Sequence, residues 1–283
     1  MRNKGLQAST DILTKQNLHT HTVYADGNDT PEELVKEALK RGFGSIGFSE
    51  HSFLRCSQYP NQLTIPKMEL YVRDVAGLKE KYRGKIDIFC GIEYDYYSEI
   101  DTSLFDYVIG SVHYLDCGGC QKTFDTSSFD PTPFINENFG GSTHLFVKKY
   151  FETVADLPTK RRIDILGHFD LIIKKNSEFH FIDTASDEYL KLGFEAIHSL
   201  KGKIPLFEVN TGAISRGYTD FPYPEAHFLN EFRKCGFGAV ITSDCHNKNY
   251  IDYSFNEAED LLRAAGFRSR WILTEDGFRE VSL

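Results

Sequence analysis

Side chains able to bind metal recur along this 283-residue chain at the ends of short apolar segments: His19, His21, Asp26, His51, Glu93, His113, His168, Asp244 and His246. Imidazole and carboxylate without thiolate suit zinc, manganese or iron in open, water-bearing sites, unlike the closed, cysteine-rich sites of structural zinc. A hydrolytic metal site lowers the pKa of bound water toward neutrality, and paired ions about 3.5 to 4 Å apart clamp the attacking and departing oxygens of an ester. The set therefore predicts a multi-metal hydrolase, with phosphate esters as the favoured substrates. A His-x-His pair alone says little, because alternate residues of any strand face the same way and histidines also serve as core or surface groups. The shared placement carries the reading.

A phosphomonoester needs positive charge for the oxygens that metals leave free, and Arg216 in TGAISRGY follows a strand-like run. The segment IPLFEVNTG brings no strong ligand to its end and offers Glu208 and Asn210 instead, with Asn210 taken as a substrate contact. His144, His180, His198 and His227 fall in helix or loop segments and read as surface or cap groups. The CGGC at Cys117 to Cys120 has no second CxxC to complete a zinc site, and its glycines suit a flexible loop. Neither a Gly-x-Gly-x-x-Gly after a strand nor a GxxxxGK[ST] loop is present, so no nucleotide cofactor is implied. A G-x-S-x-G nucleophile elbow is missing as well.

These residues need a scaffold that brings distant segments to one mouth. After the extended NLHTHT, a helix start is marked by Thr30 as N-cap, Pro31 at N1 and Glu33 completing a capping box, and Gly42 marks its end. SIGFSEH reads as a buried strand, and a helix follows near Lys67 to Arg83 with Met68, Tyr71, Val75, Leu78 and Tyr82 at helical spacing. KIDIFCGIEYD and FDYVIGSVHYL are strands joined by a stretch too short and polar for a full helix. From Asp116 to Ser142 the chain lacks periodicity and reads as a long active-site flap. Alternation then resumes: a helix near Thr143 to Asp156, strand RIDILGHFD, a helix near Ser186 to Lys201, strand IPLFEVNTG, and a helix near Pro224 to Cys235. Strand GAVITSDCH, a helix from Ser254 to Ala265 and a short strand SRWILT complete the chain.

Seven strands alternating with helices predict a parallel α/β fold of one domain over residues 1–283. The candidate ligands fall at the C-terminal ends of different strands, the rim where α/β barrels hold their active sites. A 41% apolar content supplies a core and excludes general disorder. A net charge of -9, without a large Lys/Arg cluster, argues against nucleic acid but not against a small phosphorylated substrate. The opening MRNKGLQASTDILTKQ has no signal-like apolar stretch and no run approaches the roughly 18 apolar residues of a membrane span. The expectation is a cytoplasmic protein with no membrane partner. Cys56, Cys90, Cys117, Cys120, Cys235 and Cys245 follow no framework spacing, and no structural disulfide is expected.

The motifs HTH, SEH, GIEYD, GSVHY, GHFD and SDCH, in this order between His19 and His246, resemble the PHP (polymerase and histidinol phosphatase) superfamily. Within it, the chain length, GSVHY, the long following loop and EVNTGAISRGY look like the stand-alone histidinol-phosphate phosphatases. The resemblance implies a distorted (βα)7 TIM-like barrel with three divalent ions. His19, His21, Glu93 and Asp244 would hold one metal, and Glu93 would bridge to a second held by His113 and His168. Asp26, His51 and His246 would hold the third. The implied reaction is hydrolysis of L-histidinol phosphate, a late step of histidine biosynthesis, by metal-bound hydroxide attacking phosphorus in line. Arg216 would stabilise the equatorial oxygens, and Asp244 and His246 are the nearby groups for proton transfer, in competition with their service as ligands. A second phosphate-facing cation would come from Lys174 or Lys175, with Lys175 taken as the contact, or from Arg161. The partner of the substrate ammonium stays open between Glu208 and an aspartate of the long loop.

Three other readings compete. A relative of the same fold could act on another small phosphate ester or a nucleotide, although extended nucleic acid would want a basic groove. An amidohydrolase-type barrel also opens with His-x-His, yet the bridging lysine of such sites has no counterpart and Glu93 takes its position. A non-catalytic module keeping a metal site for stability would bind metal without turnover.

Overall fold

The structure, a computed structural model, describes residues 14–55 and 62–283. Cys56 and nearly all of the opening segment read for targeting lie outside the described residues. A short polar strand, β1 (Gln16–Asn17), precedes three buried strands rich in apolar residues: β2 (Ser45–His51), β3 (Asp87–Asp95) and β4 (Tyr107–Ser111). A small hairpin of β5 (Tyr114–Asp116) and β6 (Gln121–Thr123) follows, then β7 (Ile165–Leu166), β8 (Leu206–Asn210) and β9 (Gly238–Thr242). Seven of these make one sheet in the order β1-β2-β3-β4-β7-β8-β9, every neighbouring pair parallel. Just beyond the two edge strands, His21 N–H donates to the Cys245 carbonyl at 2.9 Å and Thr20 pairs with Cys245, which closes the sheet into a barrel. Sheet closure leaves no strand edge open at the rim.

Helices cover the outside of the barrel. In chain order they are α1 (Pro31–Lys40), α2 (Ile65–Lys81), α3 (Pro131–Phe139), α4 (Thr143–Lys160), α5 (Asn176–Phe179), α6 (Asp187–Leu200), α7 (Gly212–Ser215), α8 (Ala226–Cys235) and α9 (Phe255–Ala264). The start of α1 carries the expected capping box, with Glu33 N–H donating to the Thr30 hydroxyl and Thr30 N–H to the Glu33 carboxylate. Between β3 and β4 no helix forms, as the short polar stretch predicts. Among the described residues no helix is long and apolar enough to cross a membrane.

Leu18, Phe89, Tyr107, Ile109, Ile165, Leu206 and Val240 fill the barrel interior, and Leu273 and Trp271 plug it from below. Tyr107 reaches across this space to donate to the Phe48 carbonyl at 3.0 Å and to the Leu18 carbonyl. Its ring fits because Gly47 and Gly91 face it; a Cβ on Gly91 would lie 2.2 Å from the Tyr107 ring.

SRWILT forms the expected short final strand: β10 (Ser269–Thr274) pairs antiparallel with β11 (Gly277–Ser282), outside the seven-stranded sheet. Gln16 explains its docking, since its side-chain amide donates to the Leu273 carbonyl and accepts from Leu273 N–H, both at 2.8 Å. One expectation needs correction: the segment 116–142 is not a structureless flap. Gly118 and Gly119, at φ of 71° and 88°, make the tight turn between β5 and β6. Asp130 caps α3 through Thr132 N–H, and Gly140 ends that helix in the left-handed conformation. Phe124, Phe129 and Ile135 are buried, so this segment is held by its own aromatic core against α4.

Candidate metal centre

The first two candidate ligands leave the end of β1 in extended backbone, so His19 and His21 face the same side. Asn17 sets this exit: its carbonyl oxygen takes His19 N–H at 3.1 Å, while its amide binds Ser243 at 2.7 Å and the Ile251 carbonyl at 2.9 Å. Buried Glu50 accepts from Thr22 N–H at 3.0 Å and from the Thr22 hydroxyl, which fastens the chain between His21 and Asp26 to the end of β2. Burial pushes the Glu50 carboxyl up to about 8, against the Thr22 hydrogen bonds. In the parallel register His51 and Glu93 sit side by side at the ends of β2 and β3.

Glu93 is the centre. Its Oε1 lies 3.1 Å from His113 Nε2 and 2.8 Å from His168 Nε2. The other oxygen, Oε2, lies 2.7 Å from His51 Nδ1, 3.4 Å from His19 Nε2 and 3.6 Å from His21 Nε2. Asp244 Oδ1 stands 3.2 Å from His21 Nε2 and 3.6 Å from His19 Nε2. Asp26 Oδ2 stands 3.4 Å from His51 Nε2 and 3.3 Å from His246 Nε2. All nine candidates thus converge on one cluster. Three sets have donor atoms close enough to share an ion: His21, Asp26, His51 and His246; His19, His21 and Glu93; and His51, Glu93 and His113. The resemblance put His21 in one set, with His19, Glu93 and Asp244, whereas here it stands between two sets, its ring stacked 4.2 Å from His246.

The donor chemistry fits divalent cations. His19 Nε2, both His21 ring nitrogens, Asp26 Oδ1 and Glu93 Oε2 are buried and have no hydrogen-bond partner among the described residues. Glu93 Oε2 is near His51 Nδ1 without the alignment of a hydrogen bond. Buried polar atoms are ordinarily satisfied, so a cluster of orphans with lone pairs aimed inward is what a cation would complete. Burial followed by the charges of His246 and His51 lowers the His21 imidazole to about 3, leaving it neutral and free to ligate. Burial works against charge on His51 too, but Asp26 and Glu93 beside it reverse that and raise it well above the ordinary value. Glu93 itself stays far below the carboxylate range despite its burial, because His113, His51 and His19 surround it.

Several predicted or missed residues hold the cluster rather than join it. Glu208 is buried, accepts from His168 N–H at 2.7 Å and Thr242 at 2.8 Å, and sits 2.9 Å from His19 Nδ1. Asp95, in GIEYD, accepts from His113 N–H at 2.9 Å and lies 3.2 Å from its Nδ1. Two-residue periodicity, which puts Asp95 on the same face as Glu93, was the available signal. Asn210 is a correction: fully buried, it binds Glu208 at 2.8 Å and reaches Asp244 at 3.4 Å, and it does not line the cavity. Asp244 has a φ of 44°, a strained setting for a residue other than glycine, of the kind that clusters at functional sites.

Beside the histidines opens a cavity of about 330 Å³. Arg216 lines it, with Nη2 3.0 Å from Asp244 Oδ2 and Nη1 donating to the Asp244 carbonyl at 2.7 Å. Lys175 is the second correction. Its ammonium pairs with Glu178 at 2.8 Å outside the cavity wall, while Lys174 lines the cavity. Both follow a 3-10 turn at Leu171–Ile173 and lie over the Tyr218 ring, at 4.9 and 5.5 Å. Arg161 lies elsewhere, against the Ile100 carbonyl. His144, His198 and His227 pair with Glu188, Glu231 and Glu225, and His180 ends α5, as surface and cap groups do. Cys117 and Cys120 are free thiols at the hairpin turn.

A closed parallel α/β barrel with an imidazole and carboxylate cluster at the C-terminal rim defines a class of metal-site barrels. Residues 17–204, about two thirds of the chain, match the PHP domain, and the chain belongs to that family. It is 26% identical to the histidinol-phosphatase of Bacillus subtilis, covering 86% of this chain and 97% of that protein. Among solved structures, the histidinol phosphate phosphatase of Lactococcus lactis, complexed with zinc, L-histidinol and phosphate, superposes with a TM-score of 0.70 at 21% identity. That match covers 94% of this chain and 99% of the Lactococcus chain. A Listeria monocytogenes protein assigned to the same activity gives 0.73 at 21% identity, over 86% and 99% of the two chains. The shared architecture is the seven-stranded barrel.

Proposed function

We propose that this protein hydrolyses L-histidinol phosphate to L-histidinol and phosphate, using three divalent cations at the rim cluster. The observation that carries the proposal is the convergence of donors from six strand ends around Glu93, both of whose oxygens are shared between histidines, beside a cavity sized for a small ester. The assigned activity of the Bacillus subtilis relative, aligned over nearly its whole length, and the L-histidinol and phosphate held by the Lactococcus protein supply the substrate. The donor set suits zinc, manganese or iron.

His19, His21, Asp26, His51, Glu93, His113, His168, Asp244 and His246 would hold the ions, which supply Lewis acidity and bring bound water to a reactive state near neutral pH. In the reaction an oxygen from water bonds to phosphorus, the ester P–O bond breaks, and the departing alkoxide takes a proton. Arg216 offers its guanidinium to the phosphoryl oxygens while its bonds to Asp244 keep it aimed. Lys174 adds a second cation across the cavity. Glu208 and Asp95 hold the His19, His168 and His113 rings and backbone in place, a role that preserves ring orientation.

Phosphate release from L-histidinol phosphate, compared with serine, threonine, sugar and nucleotide phosphates, tests the reading. Preference for histidinol phosphate by kcat/KM is expected. Preference for a nucleotide or another small ester would move the protein to a different phosphoesterase of the same family.

A further inference from the structure

An amino-alcohol phosphate brings an ammonium group close to its phosphate, and a buried site must meet that charge with a carboxylate. Five carboxylates line the cavity among the described residues: Asp26, Glu93, Asp95, Asp125 and Asp244. Three of them, Asp26, Glu93 and Asp244, face the histidines, and Asp95 is occupied by His113 and by Tyr97 N–H at 2.9 Å. Glu208 is spent on His19, His168, Asn210 and Thr242 and lies behind the wall. Of the other aspartates in the 116–142 segment, Asp116 accepts from Gly119 N–H at the hairpin turn and Asp130 caps α3. Asp125 remains.

Its setting is built rather than accidental. Buried Phe124 and Phe129 anchor the backbone on either side, and Asp125 N–H donates to the Thr123 hydroxyl at 3.0 Å. Lys174 Nζ takes only one of its oxygens, Oδ1, at 2.5 Å, with the two side chains 13% and 18% exposed. Burial opposes charge on Asp125, yet Lys174 beside it helps hold its carboxyl below the ordinary value. The same lysine lies 4.9 Å over the ring of Tyr218, which also lines the cavity.

We propose that Asp125 is the specificity residue of this site, accepting the ammonium of an amino-alcohol phosphate while Lys174 turns to the phosphate. The proposal rests on the phosphatase reading above. It selects for esters bearing an amine next to the phosphate-bearing carbon and rejects amine-free analogues, because those leave a buried carboxylate without its partner.

The test compares metal-loaded wild type, Asp125→Asn, Asp125→Glu and Lys174→Met on L-histidinol phosphate and on its des-amino counterpart, imidazolylpropyl phosphate. Asp125→Asn is expected to cut the kcat/KM ratio of the two substrates by roughly 10- to 150-fold, the range of one hydrogen bond between charged partners. Asp125→Glu, which keeps the charge and the partner of Lys174, should give an intermediate ratio and serves if the asparagine variant does not fold. Lys174→Met should weaken both substrates alike. A ratio equal to wild type in Asp125→Asn, with wild type active on histidinol phosphate, overturns the role of Asp125 alone. A wild type that releases no phosphate from either substrate overturns the phosphatase reading and this inference together.

Discussion

Glu93 shows how one residue can organise a site: its two oxygens serve different histidines and it belongs to two of the three sets, so removing the carboxylate disrupts both. The residues behind the cluster have a smaller, graded effect. Glu208→Gln is expected to lower metal affinity or kcat by about 10- to 100-fold, read by metal titration and phosphate release, because His19 loses the group that fixes its ring. Lys175→Ala, at a side chain that pairs with Glu178 and does not line the cavity, should lower kcat/KM less than Lys174→Met does. A pH effect belongs to Glu50. Its carboxyl is raised from 4.5 to about 8, so the stability it contributes is complete below about 4.5 and is lost as pH rises through about 8. Glu50→Gln cannot ionise, and the stability difference between variant and wild type, measured by urea unfolding, should shift in favour of the variant across that window. A constant difference from pH 4.5 to 8 would remove the argument. At this scale the sequence made the nine cluster residues legible, because their types occur at strand ends where neutral spacing would not put them. Lys174 against Lys175 was not legible, since both follow the same 3-10 turn and their order in the chain does not say which of two adjacent lysines lines the cavity.

The strands and their spacing follow from apolar runs that stay hydrophobic along both faces, as buried parallel strands do. The segment 116–142 escaped that logic. Its signals are local: a glycine pair for a turn, Asp130 and Pro131 for a helix start, and phenylalanines whose partners lie on α4 and are known only once the chain has folded. The final strand was legible as a strand, but its partner was not, because an apolar run does not say whether it joins a barrel or folds back as a hairpin. Tyr107 and its two facing glycines define the barrel interior, and Gly91→Ala should cost about 1–3 kcal/mol by overpacking against that ring, measured by chemical denaturation. If the variant is as stable as wild type, Tyr107 does not fill the barrel as described.

For the whole molecule, the acidic balance of -9 and the local concentration of imidazoles and cations at the rim describe one protein. The local positive groups at the mouth favour a small anion despite the acidic balance of the whole. Closure of the sheet through Cys245 makes the rim a ring, so ligands drawn from residues 19 to 246 meet at one point. Such a cluster couples metal to folding: chelation should lower the unfolding midpoint, because the freed carboxylates repel and the imidazoles must take up protons. The most direct test is phosphate release from L-histidinol phosphate by metal-stripped protein titrated with zinc, manganese or iron. Activity is expected to rise from background and level off near three equivalents per chain, and the same titration of Glu93→Gln should stay at background. Turnover by stripped protein at the loaded rate, or no release at full loading with any of the three metals, would contradict the account.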